Sequence, residues 1–329
     1  MKKLYIICDY REKFSSLVSG EKIYNDHISK QSLDNLINTM IGCGYNAEYF
    51  GGVDDLIKCY HEKINMPDGI YINLNDGLTE KHKRGQTPLL LEMLKVAYSG
   101  SDAFHTLLVS DKYFTNLCLQ KNNILCPGSV LISEETDLEQ IYDLNTPLIL
   151  KPNYEGSSIG ISNQSFCQKH DQAVLLAKNM MKDYDDILVQ EYISGYEITN
   201  LLILKKGTDK ILFNEAMCIS YNDQIFLTNE VFGINEKSSN IRQYRLANQV
   251  LDSAIVDKIK YISENIARIL HLTNFIRIDY RINCENIYFI EANTNPAFGV
   301  TSDVGKCCSL LNMPFDAFVS LFIDSVITN

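Results

Sequence analysis

The chain has no C-x-x-C pair, no cluster of histidines, no apolar run of bilayer length and no surplus of positive charge. Each absence removes a class of function. Its ten cysteines are scattered through apolar segments, as at Cys8, Cys43, Cys118 and Cys218, with one adjacent pair, Cys307-Cys308. In a chain of 329 residues that pattern describes reduced, core-filling thiols of a cytoplasm. The six histidines are equally dispersed, so the grouped thiolates and imidazoles of a zinc site are missing. Met1-Lys2-Lys3 is followed by a short apolar strand, not by a signal peptide. A net charge of -11 excludes a nucleic-acid surface as the main business, but a few local lysines can still hold a small anion. The expected setting is cytoplasmic, with small-molecule partners and neither membrane nor nucleic acid.

What is present is densest from Phe275 to Phe298. Arg277, Asp279 and Arg281 alternate with Ile276, Ile278, Tyr280 and Ile282. Further on, Phe289, Glu291 and Asn293 share one face of a strand, Tyr288 and Ile290 the other. Pairing Asp279 with Glu291 puts Arg277 opposite Asn293 and leaves Cys284 to Asn286 as a three-residue hairpin loop. One face then gathers an arginine, two carboxylates and an amide oxygen. Like charges among apolar strands are costly unless something neutralises them. A hard divalent cation, Mg2+ or Mn2+, takes such oxygens and keeps positions for water and phosphates. Asp279, Glu291 and Asn293 are therefore candidate metal ligands. A solvated sheet face with surface ion pairs is the other explanation.

The first third of the chain alternates. Leu4 to Cys8, Ala47 to Phe50 and Gly69 to Asn73 have the character of strands. Ser32 to Ile41 carries Leu33, Leu36, Ile37 and Met40 at helical spacing, with Gly42 and Gly44 as stop signals. This order implies a parallel sheet with helices on its faces, and ligands beyond the carboxyl ends of its strands. The segments there are Asp9 to Lys13 and Asn73 to Gln86. In the middle, the strand Leu148 to Pro152 delivers Lys151 to the loop Asn153-Tyr154-Glu155-Gly156-Ser157-Ser158-Ile159-Gly160. Glycine and serine let backbone N–H groups approach an anion, which is the physics of a phosphate lid. Ile187 to Tyr192, Leu201 to Ser220 and Ile225 to Val231 read as further strands. Ser253 to Leu270 is an amphipathic helix with Ile255, Ile259, Ile262, Ile266 and Ile269 as its core stripe. Pro314 to Ile327 is a closing helix with Phe315, Phe318, Phe322 and Val326 inward.

R-x-D followed by E-x-N-T-x-P resembles the metal and oxyanion segment of the ATP-grasp ligases, and is most similar to that of the D-alanine–D-alanine ligases. The resemblance runs from Asn75-Asp76-Gly77 through Tyr98-Ser99-Gly100-Ser101, Asp111-Lys112 and K-P-x-x-E-G-S-S-x-G to the last helix. It implies an α/β N-terminal domain with a parallel sheet over 1–105. An ATP-grasp of two α+β lobes follows, the small one over 106–188 and the large one, with the metal, over 189–329. It implies ATP and Mg2+ (or Mn2+), amide formation through an acyl phosphate, amino-acid or peptide substrates, and a homodimer. By the match, Lys112 and Lys151 contact the nucleotide phosphates, Glu155 is part of the cofactor-binding set, and Ser157 and Ser158 close over the phosphates or the substrate. Gln190 and the backbone of Ile193 meet adenine, and Glu197 the ribose. Arg277, Ser157 and Lys151 form the catalytic set, with Arg277 at the oxyanion. Ser302 holds the carboxylate of the second substrate, and Glu12 or Glu21 the ammonium of the first. Ala297 stands where the family usually has glycine. The polar stretch Val231 to Leu246, with Lys237, Arg242 and Tyr244, occupies the place of a mobile loop.

Two loops depart from the family. The basic His82-Lys83-Arg84, ahead of a helix expected over Thr87 to Val96, replaces an acidic loop, and the Ser-x-Glu element after the first strand is missing. A site that pairs an ammonium with a carboxylate loses affinity when that partner goes. The departures imply poor use of D-alanine and a preference for another carboxylate or amine, as in peptide tailoring or secondary metabolism. A catalytically silent nucleotide-binding module is the reading from another class. The retained lysines, arginine and metal ligands argue against it.

Overall fold

The computed structural model describes residues 3–14, 27–78, 81–156, 158–229, 231 and 241–327, and these build three sheets. The first is parallel, in the order β2-β1-β3-β4: β1 (Leu4–Ile7), β2 (Ala47–Gly51), β3 (Ile70–Asn73) and β4 (Ala97–Tyr98). Every residue of β1 is buried, because helices cover both faces of a parallel sheet. Leu4 and Ile6 pack with Leu33, Leu36 and Met40 of α1 (Lys30–Gly42). Tyr5 and Ile7 point the other way, onto Leu56 of α2 (Val53–His61) and Leu91 of α3 (Lys83–Met93).

Helix α3 begins earlier than expected. The expected helix starts at Thr87. The observed helix starts at Lys83 and carries Pro88 inside it. Packing overrides the local signal: a Cβ on Gly85 would lie 2.5 Å from Leu107 Cγ in α4 (Ala103–Ser110), so the first turn of α3 sits hard against that helix. The basic segment thus enters the helix instead of forming a surface loop.

The second sheet is antiparallel, in the order β5-β8-β6-β7: β5 (Ser129–Ile132), β6 (Leu148–Pro152), β7 (Phe166–Cys167) and β8 (Ile187–Glu191). Helix α5 (Lys112–Lys121) precedes it, and α6 (His170–Met180) lays Ala173 and Ala177 on Leu148, Leu150 and Val189.

The third sheet runs β12-β10-β9-β13-β14, with β11 paired to β9 off this path. Its strands are β9 (Gly195–Leu204), β10 (Ile211–Tyr221), β11 (Phe226–Leu227), β12 (Arg242–Leu246), β13 (Asn274–Asn283) and β14 (Asn286–Asn293). One face packs on α7 (Ser253–Ile269). The buried stripe of α7 is rotated from the isoleucine stripe: Val256, Ile259, Ser263, Ile266 and Ala267 are buried, while Ile255, Ile262 and Ile269 flank them half-buried. The reason is a polar contact, Ser263 Oγ at 2.7 Å from Tyr280 OH, which puts serine in the seam. The other face carries Leu201, Ile203 and Phe275. These join Phe298, α8 (Asp303–Leu310), α9 (Phe315–Val326) and the α1 side of the first sheet in one core.

Asn274 ties these parts together. It is buried, with φ 61, in the left-handed region. Its Oδ1 accepts from Gly100 N at 2.6 Å, and its Nδ2 donates to the backbone oxygen (2.9 Å) and Oγ (3.1 Å) of Ser325 in α9. Asn274→Ala strands these groups and keeps an unfavourable φ. The expected loss is about 3 kcal/mol of unfolding free energy. Asn274→Gly, which relieves the backbone alone, should cost about 1 kcal/mol less. Denaturant titration of the two variants checks this, and a loss below about 1 kcal/mol for Asn274→Ala would contradict it.

Candidate active site

Strand β13 pairs antiparallel with β14, with Arg277 opposite Asn293 and Asp279 opposite Glu291. This is the register the charge pattern implies. The turn differs. The register shifts between Asp279 and Tyr280, so Tyr280 faces Phe289 and Asn283 faces Asn286. A bulge in β14 absorbs one residue, and the connection shrinks to Cys284-Glu285, with Cys284 at φ 53.

The shared face is a charge network. Arg277 Nη2 donates to Asp279 Oδ2 at 2.9 Å and to Glu291 Oε1 at 3.3 Å, and its Nη1 donates to Asp303 Oδ2 at 3.3 Å. Thr199 on β9 donates its hydroxyl to Asp279 Oδ1 at 2.7 Å. Asp303 also receives Tyr244 OH at 2.7 Å and pairs with Arg242 at 3.3 Å, both from β12. Burial, with Glu291 and Asp303 close by, pushes the Asp279 carboxyl up to about 6, against the pull of Arg277 and the Thr199 hydroxyl. Burial works against the Arg277 charge too, but the three carboxylates outweigh it and hold the guanidinium charged. Asn293 Oδ1 accepts from Asn295 N at 2.9 Å and lies 3.4 Å from Arg84 Nη1.

Among the described residues no group of three or more His, Cys, Asp or Glu is arranged as a metal site. The hairpin offers two carboxylates and an amide oxygen, a set that suits a hard cation sharing its shell with phosphate and water. Burial is the main cause of the raised Asp279, with Glu291 and Asp303 adding to it. A divalent cation beside Asp279 and Glu291 would favour their charged forms, so these residues fit one.

The opposite wall is the glycine-containing loop. Asp111 caps α5 by accepting Phe114 N at 3.0 Å. It also accepts Asn153 Nδ2 at 2.8 Å and Tyr154 OH at 2.9 Å. Lys112 Nζ donates to the carbonyls of Asn153 (2.9 Å) and Glu155. Cap and lysine together pin the loop to the start of α5. Burial first, with Lys151 and Arg84 nearby, pulls the Lys112 amine down to about 8, against the attraction of Glu291 and Glu155. Lys151 is buried and donates to Gln190 Oε1 at 3.1 Å. That bond occupies one of the two lone-pair positions of the amide oxygen expected to receive an adenine amino group, and the buried Gln190 Nε2 has no hydrogen-bond partner among the described residues. Ser158 is buried at φ 60. Ser157 lies outside the described residues.

A cavity of about 680 Å³ separates the two walls. Lys112 and Glu155 line it from the loop, and Arg277, Asp279, Glu291 and Asn293 from the hairpin. Glu197 and Ser302 reach it as well. Glu197 accepts from Arg281 at 3.0 Å and Tyr221 OH at 3.1 Å, while Ser302 Oγ donates to its own turn, to Gly299 O at 2.7 Å. Lys151, Ser158, Gln190 and Ile193 are not on its wall. Glu12 is exposed and off the wall, accepting from Lys30 N at 2.9 Å at the start of α1. Glu21 and Lys237 lie outside the described residues.

Three contributors escaped the sequence reading. Thr199 is a neutral residue within a buried strand and carries no signal. Asp303 directly follows Ser302, and that adjacency was the available clue. Arg84 was visible only as one of three basic residues. The structure separates them: Lys83 is buried with Nζ 3.8 Å from Glu155 Oε2, the His82 ring packs on Tyr154 at 5.0 Å, and Arg84 reaches the cavity.

The family model described as D-ala D-ala ligase C-terminus matches residues 124–324. The D-alanine--D-alanine ligase of Fervidobacterium nodosum is 28% identical over 326 residues, covering 95% of this chain and 94% of that protein. The Petrotoga mobilis enzyme of the same name is 26% identical over 311 residues, covering 93% and 96%. Among solved structures, D-alanine--D-alanine ligase from Bacillus anthracis superposes with a TM-score of 0.73 at 18% identity, covering 99% of this chain and 97% of that one. VanG D-Ala:D-Ser ligase from Enterococcus faecalis gives 0.72 at 16% identity, covering 99% of both. With the family model spanning more than half of its length, the chain belongs to the D-alanine–D-alanine ligase family of ATP-grasp, ADP-forming ligases.

Proposed function

We propose that this ligase joins two small amino acids, with D-alanine the first substrate to test. The observation that carries the reading is the convergence of a lysine-pinned glycine loop and the Arg277–Asp279–Glu291–Asn293 face on one cavity. Its volume suits a bound small molecule. Relatives named D-alanine--D-alanine ligase cover nearly the whole chain. The preference for other substrates suggested by the altered loops has no support over that reading.

In the proposed reaction a carboxylate oxygen of the first amino acid bonds to the γ-phosphorus of ATP. The bond from that phosphorus to the bridging oxygen breaks, and ADP leaves with the electron pair. The second amino acid, its amine having lost a proton, attacks the acyl carbon. The C–O bond to phosphate then breaks and phosphate leaves with the pair. Lys112, on the cavity wall, balances charge on the nucleotide phosphates, and Arg277 faces the oxyanion that forms at the acyl carbon. Asp279, Glu291 and Asn293 would hold Mg2+, which when bound neutralises charge on the phosphates. Glu197, on the cavity wall, serves the adenosine end, and Ser302 the carboxylate of the second amino acid, while Gln190 and Ile193, expected beside adenine, lie off that wall.

D-alanine-dependent release of ADP and phosphate tests the reading. A kcat/KM of about 10⁴ M⁻¹s⁻¹ or more is expected. Absence of D-alanine-dependent ADP, or a clearly higher kcat/KM for another amino acid, would overturn the substrate assignment.

Asp279→Asn and Glu291→Gln should each lower kcat roughly a hundredfold or more while the melting temperature stays near that of the parent. Near-normal turnover of both at saturating Mg2+ would remove them from the metal site.

The depressed Lys112 amine sets a pH dependence. A lysine with a lowered pKa is charged below it, so the charge is present at pH 7 and lost as pH rises through about 8. Nucleotide binding above that pH must take up a proton. The Kd for ATP should therefore weaken by up to about tenfold between pH 7 and 9. Calorimetric titration of Lys112→Gln should give weaker binding with a flat profile. An unchanged slope in that variant would assign the dependence elsewhere.

A further inference from the structure

Arg84 is the one member of the basic segment whose guanidinium reaches the cavity. It enters from the first turn of α3, a helix of the N-terminal sheet, and its side chain is only 14% exposed. Nη1 lies 3.4 Å from Asn293 Oδ1 on the hairpin wall. On the other side, a Cβ built on Gly156 would lie 2.4 Å from Nη2. A residue with no side chain there lets the glycine loop come down onto the guanidinium. Asp76 Oδ1 stands 3.6 Å from Nε, and that buried Nε has no hydrogen-bond partner among the described residues. Arg84 thus spans the gap between the loop that faces phosphate and the face that faces the metal. The reacting phosphoryl group of a carboxylate–amine ligase must pass between those two walls.

We propose that Arg84 donates to the oxygens of the transferred phosphoryl group, opposite Arg277, and so closes the reaction chamber from the N-terminal side. The inference rests on the ligase reading above and adds no covalent step to it. Five N–H donors in a planar fork match the equatorial oxygens of a phosphoryl group, which a lysine meets only as a point charge. The placement also explains why a basic residue can stand at this end of the cavity without opposing a substrate ammonium: its partner is the phosphoryl group. Asp76 and Asn293 hold the fork in place until the nucleotide arrives.

The γ-phosphoryl group is what separates ATP from ADP, so the test compares the two. Titration calorimetry with β,γ-imido-ATP and with ADP, each with Mg2+, is run on the parent chain, Arg84→Gln and Arg84→Lys. In Arg84→Gln the imido-ATP affinity should fall by about tenfold or more while that for ADP stays within about twofold. Its kcat should fall roughly a hundredfold. Arg84→Lys should recover part of both losses. Equal weakening of the two nucleotides, or a matching loss in melting temperature, would assign Arg84 a structural role and overturn the proposal. Unchanged discrimination would overturn it too. In both cases a parent chain that still releases ADP leaves the ligase reading standing. A parent chain that binds neither nucleotide would overturn both.

Discussion

A guanidinium held among three carboxylates sets the terms for the rest of the site. Arg277 cannot be buried beside Asp279, Glu291 and Asp303 unless their charges nearly balance. Each partner comes from a different place: its own strand, the neighbouring strand, and the first turn of α8. Thr199 and Tyr244 add hydroxyl donors from β9 and β12. The network therefore holds four strands and a helix in one arrangement. Its two hairpin carboxylates, with Asn293 beside them on the cavity wall, are the oxygen donors that the proposed divalent cation would use.

The second requirement is a loop that can approach an anion and still be held. Lys112 and Asp111 meet it together. The aspartate caps α5 and grips Asn153 and Tyr154, while the lysine takes the loop's own carbonyls. Burial of that amine lowers its hold on a proton, so the positive charge at the loop is conditional on pH. The two walls carry opposite electrostatic problems, excess negative charge on the hairpin and cationic crowding near the loop. A metal–nucleotide complex answers both at once.

The N-terminal sheet enters this chemistry through α3. Its first turn brings Lys83 to Glu155 and Arg84 to the cavity, so a segment distant in sequence from the hairpin supplies positive charge beside it. The basic segment is thus turned inward, with Arg84 on the cavity wall and Lys83 against Glu155.

Much of this was legible in the residues alone, where local patterns decide. Strand alternation gave the pairing of Asp279 with Glu291, because a period of two leaves few registers that keep Ile276 and Ile278 buried. Alternating strand and helix gave the parallel character of the first sheet though not its strand order, and an apolar run gave β6. What the sequence could not determine depends on partners distant along the chain. The α7 stripe turned because Ser263 finds Tyr280, and α3 started early because Gly85 meets Leu107. A bulge, not turn chemistry, set the length of the hairpin loop. Thr199, Asp303 and Arg84 joined the site only because folding brought β9, α8 and α3 to the same few ångströms. Side-chain periodicity is a property of the backbone and is written locally, whereas charge balance in a buried cluster is a property of three-dimensional neighbours.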